Sequence, residues 1–259
     1  MKTAVAQTRA GVEIGANLTS AERLIAEAAD RSARWVVLPE YFACYGAEAA
    51  IKGAVRWTDE IVRRLGAAAK KGNLWITAGG VVRTRHGKFY NDSLIINPAG
   101  EMTAYYAKRH LFTATIGGRR YGEGAWLQPG REYTITPVNR WKIGLATCFD
   151  LRYPEHFARL RAGGAKAIAI GAAFTAVTGA AHWTTLVAAR AVETQCYVVA
   201  AGLTGASDEL YVHGHSMIVD PWGEIMAAMT DGEGVAVADI SATRVEEIRR
   251  VLPMRGRKP

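Results

Sequence analysis

The sequence predicts an α/β domain, built on one mixed sheet or on two sheets packed together with helices outside. Three observations predict it. Short apolar runs alternate with amphipathic helical stretches, which is β-α-β order. Two turn signals, Asn97-Pro98-Ala99-Gly100 and Asp220-Pro221-Trp222-Gly223, insert hairpins into that order. The pattern runs through all 259 residues with no linker, low-complexity stretch or fixed-period repeat. We therefore expect a single domain over 1–259, with a basic C-terminal tail from about Arg249.

The first expected strand is Lys2–Gln7. A helix should run from Thr19 to Ser32, with Thr19 or Ser20 as N-cap and Leu24, Ile25 and Ala28 on one face. Trp35-Val36-Val37-Leu38 is continuously apolar, as a strand buried on both faces requires, and it stops at Pro39-Glu40. Thr58 to Lys71 is amphipathic and closed by Gly72; Leu74–Val82 is the next strand. Phe89–Ile96 and Met102–Ala107 form the first hairpin. Trp141–Thr147 is a strand that ends at Cys148, and a helix spans Tyr153–Ala162 before Gly163-Gly164. Ala165–Ile170 is a strand, Ala181–Thr194 a helix and Cys196–Ala201 a strand. Gly214–Val219 pairs with Glu224–Ala228, Val235–Ile240 is the last strand, and a short helix starts near Val245.

Composition bounds the function. With 49% apolar and 22% charged residues, the chain is globular rather than disordered. No apolar run is long enough for a membrane span, and the N-terminus lacks the apolar stretch of a secretory signal. Three cysteines cannot make a disulfide framework, so we expect a reducing, cytoplasmic setting. The formal charge is +8, but its arginines and lysines are scattered and not interleaved with stacking aromatics. That argues for a solvated basic surface and against nucleic acid as partner.

Three polar residues stand where strands end: Glu40, Lys108 and Cys148. Strand ends are where α/β proteins build sites. Singly, such residues are most often solvated or simply packed. Cys148 stands out because a strand runs straight into it and a helix begins about five residues later. A sharp strand-to-helix turn presents a nucleophile beside backbone N–H groups, which can hold an oxyanion. A thiol attacks at neutral pH only with a base or a positive field nearby, which a Glu and a Lys can supply. His213 and His215 share a strand face but lack a Cys or carboxylate at ligand spacing, so no metal is expected there. No cofactor motif is present; Gly232-x-Gly234 has neither a third glycine nor a following helix.

These segments together resemble the nitrilase superfamily of carbon–nitrogen hydrolases. The matching pieces are Leu38-Pro39-Glu40, Tyr106–Phe112, Thr147–Glu155, Phe174–Trp183, Ala189–Tyr197 and Gly214–Gly223, in the family's order and across nearly the whole chain. The resemblance implies a four-layer αββα sandwich of two mixed sheets. It implies a Glu–Lys–Cys triad at Glu40, Lys108 and Cys148, and a second glutamate at Glu123, six residues before Pro129-Gly130. It further implies a homodimer formed through Arg152–Arg161 and Ala181–Glu193. The short amidase branch, with omega-amidases and deaminated-glutathione amidases, is the most similar. There Arg152, Phe174 and Thr178 would line a carboxylate pocket beside Phe149. The implied reaction is hydrolysis of a small carboxylate-bearing amide, releasing ammonia through a cysteine thioester. Nitrile or N-carbamoyl hydrolysis on the same triad, or a non-catalytic binding protein on this fold, are the alternatives. Three departures stand out: Ala107 replaces a usual basic residue, Gly179-Ala180-Ala181-His182 replaces Gly-Pro-Ala-His, and Thr113–Gly124 is unlike either named amidase type. That last segment puts Arg119 or Arg120 where they could reshape carboxylate recognition.

Overall fold

The computed structural model describes residues 1–207 and 210–254. The first half runs β1 (Lys2–Gln7), α1 (Ile14–Asp30), β2 (Trp35–Leu38), α2 (Glu48–Gly53), α3 (Thr58–Gly72), β3 (Trp75–Arg85), β4 (Lys88–Ile96) and β5 (Met102–Ala107). A small hairpin, β6 (Thr113–Ile116) and β7 (Arg119–Gly122), follows. The second half runs β8 (Ile135–Val138), β9 (Trp141–Thr147), α4 (Pro154–Ala162), β10 (Ala167–Ala172), α5 (Ala176–Thr194) and β11 (Tyr197–Gly202). It ends with β12 (Thr204–Ser207), β13 (Leu210–His213), β14 (Met217–Val219), β15 (Ile225–Ala228), β16 (Gly234–Asp239) and α6 (Ala242–Val251).

Two six-stranded sheets result, ordered β16-β1-β2-β3-β4-β5 and β15-β14-β11-β10-β9-β8. Their designs match. Each has three parallel strands joined by helices, an antiparallel hairpin on one side and one antiparallel strand on the other. The matching layouts leave no repeat in the sequence, because the burial pattern, and not the residue identities, specifies them.

Strand alternation divides the core into layers. Trp35 and Val37 of β2 meet Ala167 and Ala169 of β10 and Tyr197 and Val199 of β11 between the sheets. The opposite faces of these strands pack outward: Val36 and Leu38 against α1 and α3, and Ile168, Ile170 and Val198 under α4 and α5. This is the αββα sandwich that the resemblance implies.

Several boundaries differ from the sequence expectations. Helix α1 starts at Ile14, so Thr19 is no N-cap; its Oγ1 donates to the Gly15 carbonyl at 3.0 Å from inside the helix. Asn73, in the left-handed region, closes α3, and Gly72 is its last helical residue. Helix α5 starts at Ala176, capped by Thr175. Gly179 therefore lies within it, where a Cβ would sit 2.2 Å from the His213 side chain. His182 is consequently inside the helix and exposed, with Nδ1 3.3 Å from the Arg152 guanidinium. The basic tail does not begin at Arg249. That residue is in α6 and donates to the Ala165 carbonyl at 2.9 Å; residues 255–259 lie outside the described part. Helix α2 and the strands β6, β7, β8, β12 and β13 have no counterpart in the sequence reading, being too short to show a period. No helix among the described residues is long and apolar enough to cross a membrane.

The sheets come closest beneath Glu40. A Cβ at Gly171 of β10 would lie 2.9 Å from the Leu38 carbonyl, 3.0 Å from the Gly79 Cα and 3.1 Å from the Glu40 nitrogen. All three are backbone atoms and cannot rotate aside. Gly171→Ala is expected to lower stability by about 1–3 kcal/mol, the usual effect of overpacking. It should also reduce activity by displacing Glu40. Thermal denaturation and turnover of the same preparation check both.

Candidate active site

Glu40 follows β2, Lys108 follows β5 and Cys148 follows β9, so three strand ends converge at one edge of the sandwich. The structure brings them together. Lys108 Nζ donates to Glu40 Oε1 at 2.9 Å and lies 2.8 Å from Glu123 Oε2 and 3.0 Å from Glu123 Oε1. Cys148 opens onto the same cavity as Glu40 and Lys108, close enough for their charges to act on its thiol. Glu40 Oε2 also accepts the Ala173 N–H at 3.1 Å. Glu40 and Lys108 are each 1% exposed, so this charge cluster is shielded from water except through the cavity it faces.

Glu123 holds more than the lysine. Its Oε1 accepts from the Tyr41 hydroxyl at 2.9 Å, and its Oε2 accepts the Phe112 N–H at 2.7 Å. Glu123 thus ties the β6–β7 hairpin to Lys108 and is built into the cluster, not left as an exposed rim ion pair.

The backbone around Cys148 is shaped for presentation. Cys148 has φ +46, in the left-handed region that a non-glycine residue enters at a cost of about 1–3 kcal/mol. It opens a 3₁₀ turn over Cys148–Arg152, and Thr147 and Asp150 close that turn with a reciprocal capping box. Asp150 is the turn's anchor. Its Oδ2 accepts from the Thr147 N–H at 2.8 Å and the Tyr106 hydroxyl at 2.7 Å. Its Oδ1 accepts from the His110 N–H at 3.0 Å and meets His110 Nδ1 at 2.7 Å. His110 in turn stacks on Tyr153 at 3.7 Å.

His110, Asp150 and His156 place one ligand atom each within 4.8 Å of one another. Hydrogen bonds from four directions already occupy the Asp150 carboxylate, so the group is a clasp that holds the turn. His213 and His215 stack at 4.1 Å, and His215 Nδ1 lies 2.8 Å from the His213 carbonyl.

Two cavities meet at Cys148. The larger, about 300 Å³, is edged by Glu40, Lys108, Glu123, Tyr45, Trp126 and the hairpin arginines Arg119 and Arg120. A narrow cleft of about 20 Å³ on the other side is lined by Phe149, Arg152, Phe174 and Thr178, the four residues expected at the substrate pocket. The Arg152 guanidinium there lies 5.3 Å from the Phe174 ring and 5.9 Å from the Phe149 ring. A larger depression of about 490 Å³, near Arg85, Tyr90, Tyr105 and Arg131, contains none of the converging strand-end residues.

Electrostatics follow from burial. Burial raises the Glu40 carboxyl above its ordinary range, Lys108 partly offsets this, and the Glu123 charge adds to the rise. Burial works against the Lys108 ammonium, but Glu123 and Glu40 outweigh it and keep the amine well above its usual range. Burial and then the Glu40 charge push the Cys148 thiol well up. Burial thus favours the neutral thiol at Cys148, and the two acids favour the ammonium at Lys108. The chemistry this permits is proton transfer from sulfur to Glu40 as the sulfur attacks, with Lys108 facing the charge that develops.

Sequence reasoning missed Tyr41, Asn91 and the Asp150 clasp. Asn91-Asp92-Ser93 is a polar run inside an otherwise apolar strand, and all three are buried. That run was the available signal.

The carbon-nitrogen hydrolase family model matches residues 2–250. The chain belongs to the carbon-nitrogen hydrolase family. A deaminated glutathione amidase from Synechocystis sp. (strain PCC 6803 / GT-S) is 38% identical over 247 residues, covering 92% of this chain and 90% of that protein. Human omega-amidase NIT2 is 33% identical, covering 92% and 87%. Among solved structures, the Caenorhabditis elegans NitFhit protein superposes with a TM-score of 0.92 at 34% identity, over 97% of this chain and 63% of that longer one. Saccharomyces cerevisiae Nit3, of the nitrilase superfamily, gives 0.88 at 28% identity over 99% and 96%. This carbon-nitrogen hydrolase is thus a nitrilase-superfamily enzyme by sequence and architecture.

His156 supplies a pH test of the clasp. Burial lowers its pKa below the ordinary 6.5, with Asp150 opposing and His110 and Arg109 adding to the drop. The unfolded chain then binds more protons below about pH 6.5, so stability should fall as pH drops through that value. The melting temperature is expected to decline from pH 6.5 toward 5, with a flatter slope in His156→Leu.

Proposed function

We propose that the chain hydrolyses the amide bond of a small carboxylate-bearing amide through a thioester on Cys148, releasing ammonia. The observation that carries this reading is the convergence of Cys148, Glu40, Lys108 and Glu123 on one cavity, with Lys108 gripped by Glu40 and Glu123. Glu40 takes the thiol proton as sulfur attacks the carbonyl carbon. Lys108 and a backbone N–H near Cys148–Phe149 stabilise the tetrahedral oxyanion. Protonated Glu40 gives its proton to the departing nitrogen, leaving the acyl group on sulfur. Glu40 then removes a proton from water, the hydroxide attacks the thioester, and the thiol is restored. Glu123 keeps Lys108 charged and aimed.

The carboxylate preference is supported by the guanidinium of Arg152 beside Cys148 and by the amidase names of the relatives. Arg119 and Arg120 on the β6–β7 hairpin have no ion-pair partner among the described residues and edge the larger cavity, so they extend that preference. We further propose a homodimer through α4 and α5. Val177, Ala180, Ala181, Thr184 and Val192 form an exposed, uncharged face on α5. A reducing cytoplasm suits an enzyme that depends on a free thiol.

A panel of omega-amides, deaminated glutathione, N-carbamoyl amino acids and aliphatic nitriles tests the reading. Ammonia or amine release from the amides is expected, with Cys148→Ala reducing turnover by at least about 10³-fold. Turnover of nitriles alone would overturn it. Arg119→Glu combined with Arg120→Glu is expected to raise KM for carboxylate-bearing amides about tenfold, equivalent to about 1.4 kcal/mol. Light scattering should give twice the chain mass at micromolar concentration.

A further inference from the structure

We infer that Asn91 is a positioning residue that makes the two oxygens of Glu40 unequal, so that Oε2 alone carries each proton of the catalytic cycle. The inference rests on the roles proposed above for Glu40 and Cys148. Oε1 accepts from Lys108 Nζ at 2.9 Å and from Asn91 Nδ2 at 2.8 Å. A carboxylate oxygen has two lone pairs in its plane, and both are thereby filled. Neither partner can accept a proton in return: the ammonium and the amide nitrogen are donors only. A proton arriving at Oε1 would have to expel one of them. Among the described residues Oε2 has one protein donor, the Ala173 N–H at 3.1 Å, and so keeps a lone pair open to receive a proton.

The Asn91 amide is held in this orientation from its far side. Its Nδ2 also donates to the Tyr41 hydroxyl at 3.0 Å, and that hydroxyl donates in turn to Glu123 Oε1 at 2.9 Å. Both amide hydrogens therefore run toward carboxylates, one directly and one through Tyr41. Turning the amide over would set Oδ1 against Glu40, acceptor on acceptor. As it stands, Oδ1 is buried with no hydrogen-bond partner. A fold that leaves this acceptor unpaired does so to use the donor end. Asn91 also fixes the lysine: its backbone carbonyl accepts the Lys108 N–H at 2.8 Å. One residue of β4 thus sets both members of the Glu40–Lys108 pair.

The test is the pH dependence of Cys148 alkylation by iodoacetamide, read alongside amide turnover in the full-length enzyme. The titratable groups facing Glu40 are Lys108, Glu123, Cys148, Tyr41 and Tyr45. Asn91→Leu keeps the approximate shape and removes the donor; Asn91→Asp keeps the shape and replaces the donor with an acceptor. Both are expected to lower kcat at least tenfold with KM changed less than threefold. Both should also move the acid limb of alkylation and of kcat/KM to higher pH, because the charged form of Glu40 loses a donor. A merely structural role would lower the melting temperature and leave that limb in place. An unmoved acid limb in either folded variant overturns the inference. Asn91→Asp decides the matter if Asn91→Leu does not fold. Alkylation reports on the thiol without substrate, so a chain that alkylates as expected but turns over no amide refutes the proposed function and leaves Asn91's role standing.

Discussion

The arrangement of the site depends on one buried cation. Lys108 is 1% exposed and carries its charge where the strand ends converge at one edge of the sandwich, in contact with Glu40 and Glu123. An ammonium in such a place is tolerated only when paired and fully hydrogen-bonded, since desolvation costs several kcal/mol. Glu40 and Glu123 supply that pairing. Their placement in turn fixes other parts of the molecule: the strand end after β2, the hairpin β6–β7 and the approach of Tyr41. Removing either acid would leave charge without compensation. In the proposed reaction the same pairing keeps the lysine charged, which leaves proton transfer to Glu40.

Fold and site are joined by what the sheets lack. At Gly171 and Gly79 two backbones from opposite sheets pass with no side chain between them, directly under Glu40. Elsewhere the interface is filled by large residues such as Trp35, Tyr106 and Tyr197. The large side chains hold the sheets in register, and the glycines let them converge where the charged groups must meet. The left-handed backbone at Cys148 is sustained by the Asp150 clasp in a similar way: hydrogen bonds outside the reacting groups hold a strained residue in place.

Much of this was legible in the sequence. The apolar run ending at Glu40, the strand running into Cys148 and the Pro/Gly turns each reflect local physics, and so does the order of parallel strands and helices. Glu40, Lys108, Cys148 and Glu123 could be named because each stands at a strand end or in a motif. Asn91 could not be named, since its importance comes from a hydrogen-bond direction that only the folded chain defines. The structure starts α5 at Ala176 rather than Ala181; Gly179 lies inside it because His213, distant in sequence, approaches too closely for a side chain there. The short strands of β6–β7 and β12–β13 carry too few residues for periodicity, and their pairing comes from turns and from neighbours.

The matched halves have one more consequence. Glu40 and Lys108 belong to the first β-α-β-α-β unit and its hairpin, and Cys148 to the second. While the chain is being synthesised, the thiol therefore has no base beside it and no cation across from it. It is an ordinary cysteine until the two sheets stack. In the proposed reaction, then, the thiol meets its base and its cation only in the finished sandwich.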